Sequence, residues 1–247
     1  MLDQAFEALN TYEWGVEPKT LASIEEAVIK TRDDAAARAE LETRLAAVLK
    51  SGAPRAAKDY VCRQLRTIGT AGSVPALAAL LPDPDLSHMA RYALERIPDP
   101  AAGAALREQL PNVGTTLKIG IITSLAARGE DAPAPGQGSS GFFHRSHHGD
   151  TVPLLRGLLT DSDPAVSKAA IRALGMIGTP AASHALAGAK PAPEAQATLA
   201  DATLACAGRL LAAGDRRAAK ADYERLLKGH PSPLIQSAAE RGLAACG

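Results

Sequence analysis

The chain has 247 residues, of which 46% are apolar and only 3% aromatic, and its formal net charge is zero. This apolar content suffices for a core, whereas so few aromatic residues argue against a β-sandwich or an aromatic enzyme pocket. Zero net charge provides no field that would attract nucleic acid or an acidic membrane surface. Much of the apolar content is Ala and Leu, which favour helices. No run of 18 apolar residues is present, so no membrane-spanning helix is predicted.

The beginning of the sequence, MLDQAFEALN, has no basic segment followed by an apolar one. As written, the chain is therefore expected in the cytoplasm, or in the periplasm or outside the cell if a leader was removed. The cysteines Cys62, Cys206 and Cys246 are widely spaced and form no CxxC pair, which favours neither a disulfide framework nor a zinc site. Cys62 and Cys206 fall at apolar helical positions and are predicted as buried small side chains.

The N-terminal region predicts two short helices and a connector. Residues 3–10 favour a helix that packs as an end cap, and an apolar helical stripe follows over 18–31. Trp14, in the turn-rich connector between them, could serve as a ligand platform, but the interpretation we favour is a plug for the open end of the core. Asp33 or Asp34 is expected to cap the next helix, since an Asp side chain there can accept hydrogen bonds from free backbone amides.

From residue 33 onward, apolar stripes at helical spacing, separated by Asp-Pro and Gly breaks, predict six helical hairpins. Their paired helices are expected at 33–50 with 54–68, 74–81 with 89–97, 101–110 with 115–128, 152–160 with 165–177, 181–189 with 194–213, and 216–228 with 233–244. Equivalent leucines in successive second helices are Leu65, Leu94, Leu125, Leu174 and Leu204. Three of the four gaps are about 30 residues, which is typical of a stacked array of helical hairpins.

The clearest hairpin lies in residues 151–186, TVPLLRGLLTDSDPAVSKAAIRALGMIGTPAASHAL. Its pattern, Val-Pro-x-Leu-x-x-Leu-Leu-x-Asp-x-Asp-Pro-x-Val followed by Ala-Leu-Gly-x-Ile-Gly, resembles HEAT repeats of the short, phycobilisome-lyase-like type. Residues 152–178 match this pattern most fully, and 74–97 match it in part. Ser167 departs from it, since this repeat type usually has Arg there, and this departure puts the usual Asp–Arg ladder in question.

The resemblance implies an all-α fold: a right-handed α-α superhelix, or solenoid, of about six helical hairpins with terminal caps. It implies a single domain over 1–247, with an inserted Gly/Pro/His-rich loop at 129–150. Such arrays serve mainly as scaffolds and binding surfaces, so the resemblance predicts fold more firmly than function. Similar family members look like parts of longer, exported bacterial proteins, so a neighbouring domain is one expected partner.

The inserted loop, GEDAPAPGQGSSGFFHRSHHGD, has no helical period and has two interpretations. One is a transition-metal site for Zn, Cu or Ni, because imidazole and carboxylate groups cluster at its end. The candidate ligands are His144, His147, His148 and Asp150. The other is a polar loop without metal, in which Asp150 caps the following helix. In both cases Phe142 and Phe143 are expected to contact the array or a ligand, because an exposed Phe pair needs an apolar partner.

Aligning the second helices places eight polar side chains on one face. These candidate partner-binding residues are Asp59, Arg63, Arg66, His88, Tyr92, Glu95, Lys168 and Arg172. In a superhelix of the implied hand they would line the concave side, where Arg63, Tyr92 and Arg172 would form a column suited to a peptide carboxylate, a phosphate or an acidic side chain. The alternative is a solvated helix face with scattered ion pairs, each contributing about 0.5 kcal/mol or less.

The leading functional hypothesis is a non-catalytic scaffold that binds a protein or peptide partner through the concave groove and the loop. One alternative is a metal-binding protein that uses the histidine loop, and another is a bilin-lyase-like or other enzyme accessory subunit. The His-Glu dipeptides of HEAT-repeat di-iron hydroxylases are absent, as are Gly-x-Ser-x-Gly and P-loop motifs. A HEAT-like DNA glycosylase would need a basic face with aromatic wedges, so no nucleic-acid partner is expected.

Overall fold

The computed structural model describes residues 1–15, 18–128, 151–229 and 232–247, and every regular element among them is helical. The first eight α-helices are α1 (Leu2–Ala8), α2 (Ala22–Lys30), α3 (Ala35–Lys50), α4 (Arg55–Ile68), α5 (Val74–Ala78), α6 (Ser87–Leu94), α7 (Pro100–Gln109) and α8 (Thr115–Arg128). The other six are α9 (Thr151–Gly157), α10 (Pro164–Ile177), α11 (Pro180–Ala187), α12 (Gln196–Ala212), α13 (Arg216–Lys228) and α14 (Pro233–Ala245). In the described ranges no helix is both long and apolar enough to cross a membrane.

The chain folds as two compact units, Met1–Ser124 and Leu125–Gly247. In the first unit α3 packs on α5 and α5 on α7, while α2 packs on α4 and α4 on α6. In the second unit α9 packs on α11 and α11 on α13, while α10 packs on α12 and α12 on α14. In each of these pairs a helix contacts its equivalent in the next hairpin, as in a repeat array. The all-α fold of sequentially packed hairpin helices is confirmed, whereas the single domain over 1–247 stays a prediction.

The Asp-rich turns form because each carboxylate accepts backbone amides that the next helix leaves free. In the turn before α10, Asp161 Oδ1 accepts from the amide of Asp163 at 2.9 Å, and Asp163 Oδ1 accepts from that of Ala165 at 2.9 Å. Asp83 has the equivalent role before α6, where it accepts the amides of Asp85 and Leu86. The repeated Asp-x-Asp pattern thus caps the N-terminus of the helix that follows it.

Two further helix ends agree with the sequence pattern. Asp34, one of the two candidates, caps α3 by accepting the amides of Ala36 and Ala37 at 3.0 and 2.9 Å. At the other end of a helix, Gly178 ends α10 with φ of 63°, and its N–H donates to the Leu174 carbonyl at 3.1 Å. This left-handed conformation disfavours residues with a Cβ, which explains the last Gly of the Ala-Leu-Gly-x-Ile-Gly pattern.

Ser167, at the position where the repeat type usually has Arg, is buried. Its hydroxyl donates to the carbonyl of Leu159 at 2.7 Å. The side chain therefore ties α10 to the last turn of the preceding helical segment, Leu158–Thr160. Where the repeat type usually has a long Arg side chain, this chain therefore has a serine that forms a local hydrogen bond.

The predicted repeat register holds in α4, α6, α8 and α10 and fails in α12. The leucines of the first four are at most 1% exposed; they are Leu65, Leu94, Leu125 and Leu174. Leu204, the fifth, is only partly buried, whereas Cys206 and Ala207 are fully buried. The prediction for Leu204 is wrong, because α12 follows an extra helical turn at Pro193–Ala195 and runs for 17 residues against 14 in α10.

Candidate binding surface on α4 and α6

Helix α4 separates an apolar face from a charged one. Seven of its residues are buried, including Val61 and Leu65, because their spacing of three to four places them on one side. The opposite side carries three of the predicted residues, of which Arg63 is exposed while Asp59 and Arg66 are half-buried. Since α4 packs against α6, this charged side continues onto the next helix. We call the resulting area the α4–α6 surface; its members are Arg55, Asp59, Arg63, Arg66, Asp85, His88, Tyr92 and Glu95.

Asp59 is the carboxylate on which cations of the surface converge. Burial raises the pKa of its carboxyl group, and the charges of Arg63, Arg55 and His88, in that order, oppose the rise. Its Oδ1 is buried and has no hydrogen-bond partner among the described residues. The structure therefore brings together the predicted residues Asp59, Arg63 and His88, and adds Arg55, which the sequence pattern missed.

Arg66 and Tyr92 are two further predicted surface residues, and the structure brings them into contact. The guanidinium carbon of Arg66 lies 4.4 Å from the centre of the Tyr92 ring, within the range of a cation–π interaction. Arg66 Nε is buried without a hydrogen-bond partner in the part of the chain that the structure describes. The Tyr92 ring of α6 is therefore the contact that the structure gives to the cation of Arg66.

Glu95 belongs to a hydrogen-bonded group that the sequence did not indicate. Ser124 Oγ donates to Glu95 Oε1 at 2.6 Å and accepts from Arg91 Nη1 at 3.2 Å, and the same Arg91 nitrogen donates to the Gly120 carbonyl at 3.1 Å. Burial lowers the pKa of Arg91, and Glu95 opposes that shift. The sequence does contain an indication of this group. When the repeats are aligned, the charged Arg91 falls at the position of Ile171, which is a core residue of α10. Glu95 thus already accepts a hydrogen bond from another residue of the first unit.

Trp14 and Arg55 extend the surface at the start of α4. Arg55 Nη1 is 2.8 Å from Asp85 Oδ1, and its guanidinium carbon is 5.5 Å from the centre of the Trp14 ring. Trp14 remains 54% exposed. The interpretation of Trp14 as a plug for the core is therefore wrong, because more than half of the side chain is exposed and its ring lies beside a surface cation.

Lys168 and Arg172, the other two members of the predicted stripe, belong to the second unit. Both lie on α10, where Lys168 is half-buried and Arg172 is exposed. The proposed column of Arg63, Tyr92 and Arg172 draws on both units, and its alignment stays a prediction.

The residues predicted for the inserted loop lie outside the described residues. They are the ring pair Phe142 and Phe143 and the candidate ligands His144, His147, His148 and Asp150. Within the described ranges, no three His, Cys, Asp or Glu side chains are arranged to hold a metal ion. The zinc, copper or nickel hypothesis for the loop therefore stays a prediction.

The two helical cysteines are packing residues, as predicted. Cys62 and Cys206 are both fully buried, and burial raises the pKa of each thiol from an ordinary 9.0 to about 12. A thiol with so high a pKa is protonated at neutral pH and is a poor nucleophile.

Comparison with known proteins supports the repeat assignment. Residues 141–207 match a family model described as HEAT repeats. No curated protein sequence matches the chain. Among solved structures, a crystal structure of an engineered protein is similar with 21% identity and a TM-score of 0.42, over 91% of this chain and 96% of that one. Human deoxyhypusine hydroxylase in complex with glycerol is similar with 15% identity and a TM-score of 0.40, over 99% of this chain and 95% of that one. With TM-scores below 0.5, neither structure bears on the function of this chain.

Proposed function

We propose that the chain is a non-catalytic protein-interaction module whose α4–α6 surface binds an acidic segment of a partner protein. HEAT repeats at 141–207 and the stacked helices support the general role, because such arrays present long helical faces to partners. The charges of the α4–α6 surface support the acidic partner.

The observation that carries this proposal is an imbalance of available charge. Asp85 pairs with Arg55, Glu95 accepts from Ser124, and Asp59 is half-buried. Arg63, by contrast, is exposed and has no hydrogen bond or ion pair within the described residues. Two of the three carboxylates, those of Asp85 and Glu95, therefore already have partners, whereas the exposed guanidinium of Arg63 has no hydrogen bond or ion pair among the described residues.

Arg66 and Tyr92 provide the contact that distinguishes this surface from a generic basic patch. The stacked ring limits the orientations of the guanidinium, so less conformational entropy is lost when it meets a carboxylate. Arginine and tyrosine together are also the residue types enriched where interfaces concentrate their binding energy. An acidic segment with an apolar residue beside it would satisfy both groups.

A peptide-display selection tests the proposal without a known partner. Immobilised full-length chain is challenged with a library of random 12-residue peptides, in parallel with the double variant Arg63→Glu/Arg66→Glu. The matched control is Arg216→Glu/Arg217→Glu, which makes the same charge change at exposed positions of α13. Binding of selected peptides is then followed through the emission of Trp14, the single tryptophan of the chain.

We expect net-negative peptides to be enriched on the wild-type chain and on the control, and to lose at least tenfold in affinity on the double variant. Enrichment of neutral or basic peptides would contradict the proposal. So would acidic peptides that bind the double variant as tightly as they bind the control.

A further inference from the structure

The second unit contains a groove that the proposed function does not use. It has a volume of about 390 Å³ and lies among α11, α12, α13 and α14. Its apolar lining includes Leu186, Leu199, Leu226 and Ile235. A volume of this size falls within the range of small-molecule sites.

Arg225, which lines the groove, forms an ion pair with the buried carboxylate of Asp222. Its Nη2 donates to Asp222 Oδ1 at 2.7 Å, and Ser183 Oγ donates to the same oxygen at 2.7 Å. The Asp222 side chain is 1% exposed, and its Oδ2 has no hydrogen-bond partner within the described residues. Removing Arg225 from Asp222 would leave a buried charge uncompensated, which is costly. The charge of Arg225 is therefore already matched by the charge of Asp222.

Asp201 is the other ionised side chain in the groove lining, and it is uncommitted. It is exposed on α12 and has no hydrogen bond or ion pair within the described part of the chain. The polar side chains Gln196 and Thr203 are satisfied internally, since they donate to the carbonyls of Pro191 and Leu199. Because the charge of Arg225 is paired with that of Asp222, the groove has an apolar lining and one unpaired negative charge, that of Asp201.

We infer that this groove binds a small aliphatic amine, with the alkyl chain on the leucine and isoleucine side chains and the ammonium group at Asp201. An ammonium there gains a partner without disturbing the Arg225–Asp222 pair. A carboxylate in the same place would meet the like charge of Asp201. The inference concerns the second unit and does not depend on the α4–α6 surface.

Three probes of equal chain length separate the apolar contribution from the charge. They are n-octylammonium, 1-octanol and octanoate, titrated into the full-length chain while the methyl NMR signals of Leu199 and Ile235 are followed. We expect saturable shifts with n-octylammonium and a Kd about two- to fivefold lower than that of 1-octanol, as for one partly exposed ion pair. Octanoate should bind more weakly than 1-octanol.

Two pairs of variants test the position of the ligand. Asp201→Asn should raise the Kd of n-octylammonium to that of 1-octanol, whereas Glu194→Gln, the same charge change at an exposed position outside the groove lining, should leave it unchanged. Ala197→Phe, at an exposed lining residue, should abolish the methyl shifts for all three probes. Ala205→Phe, exposed on the same helix outside the groove lining, should not. Tighter binding of octanoate, or an unchanged Kd in Asp201→Asn, would overturn the inference, as would the absence of saturable methyl shifts in the wild-type chain.

Discussion

Gly175 on α10 lies directly against the backbone of Ala202 on α12. A Cβ atom added to Gly175 would come within 2.7 Å of the Ala202 carbonyl oxygen and 2.9 Å of its Cα. Because the obstructing atoms belong to the backbone, a rotamer change cannot relieve the clash. This contact is the physical reason for the first Gly of the Ala-Leu-Gly-x-Ile-Gly pattern.

Gly175→Ala is therefore expected to destabilise the second unit, although Ala is the better helix former. Overpacking of this kind costs about 1–3 kcal/mol, against a gain of about 0.5–1 kcal/mol from helix propensity. Urea unfolding followed by circular dichroism at 222 nm measures the net change. Gly157→Ala is the control, since a Cβ there meets nothing within 4 Å, and its stability should stay the same or rise. Equal effects of the two substitutions would show that the helices can move apart without cost.

Glu42 is a buried carboxylate that holds the turn before α5. Its Oε1 accepts the amides of Thr70 and Ser73 at 2.7 and 2.9 Å, and its Oε2 accepts the Thr70 hydroxyl at 2.8 Å. Glu42→Gln keeps one acceptor oxygen but removes the negative charge and replaces the other oxygen with an NH₂ group, so we expect a loss of about 2–3 kcal/mol in the free energy of unfolding. Glu40→Gln, at an exposed position of the same helix, should change it by less than about 0.5 kcal/mol. A small effect of Glu42→Gln would mean that a neutral amide satisfies these donors as well as the carboxylate does.

The helical hairpins could be predicted because their signals are local. Asp83, Asp161 and Asp163 each accept amides within three residues, so the pattern that indicates the turn also makes its hydrogen bonds. The stripe on α4 could be predicted for the same reason, since the helical period alone decides which side chains share a face.

The remaining features depend on contacts between distant parts of the chain. Arg91 donates hydrogen bonds to Gly120 and Ser124, about 30 residues further on, so its partners are not on its own helix. Trp14 lies beside Arg55 of α4, a pairing that no local pattern shows. Leu204 was misplaced because the turn before α12 changes the register of that helix. In each case the decisive partner lies on another element.

The stacking of Arg66 on Tyr92 predicts a measurable coupling energy. A double-mutant cycle with Arg66→Met and Tyr92→Leu keeps much of the apolar contact area while removing the cation and the ring. We expect a coupling of about 0.5–1 kcal/mol, as for cation–π pairs at partly exposed sites. The comparison cycle pairs Tyr92→Leu with Arg96→Met, at an exposed position whose cation contacts no aromatic ring in the described part of the chain, and should give a coupling near zero. Similar values in the two cycles would contradict a specific contact.

The buried thiols predict a loss of stability at alkaline pH. Burial raises the pKa of Cys62 from 9.0 to about 12, and the same holds for Cys206. Because the unfolded chain releases these protons from about pH 9 while the folded chain retains them, the unfolded state binds fewer protons between the two values. The free energy of unfolding should therefore be unaffected by these groups below pH 9 and should fall as the pH rises from 9 toward 12. Burial also raises the pKa of Tyr60, which adds to the fall above pH 10.

Urea midpoints at pH 7.5, 9.0 and 10.0 check this prediction. We expect the midpoint of the wild-type chain to fall more steeply with pH than that of Cys62→Ala, whatever the two midpoints are at pH 7.5. Cys246→Ala, which removes a partly exposed cysteine near the C-terminus, should follow the wild-type slope. If the Cys62→Ala slope matches the wild-type slope instead, the Cys62 thiol ionises equally in the folded and unfolded chains, and its burial does not protect the proton.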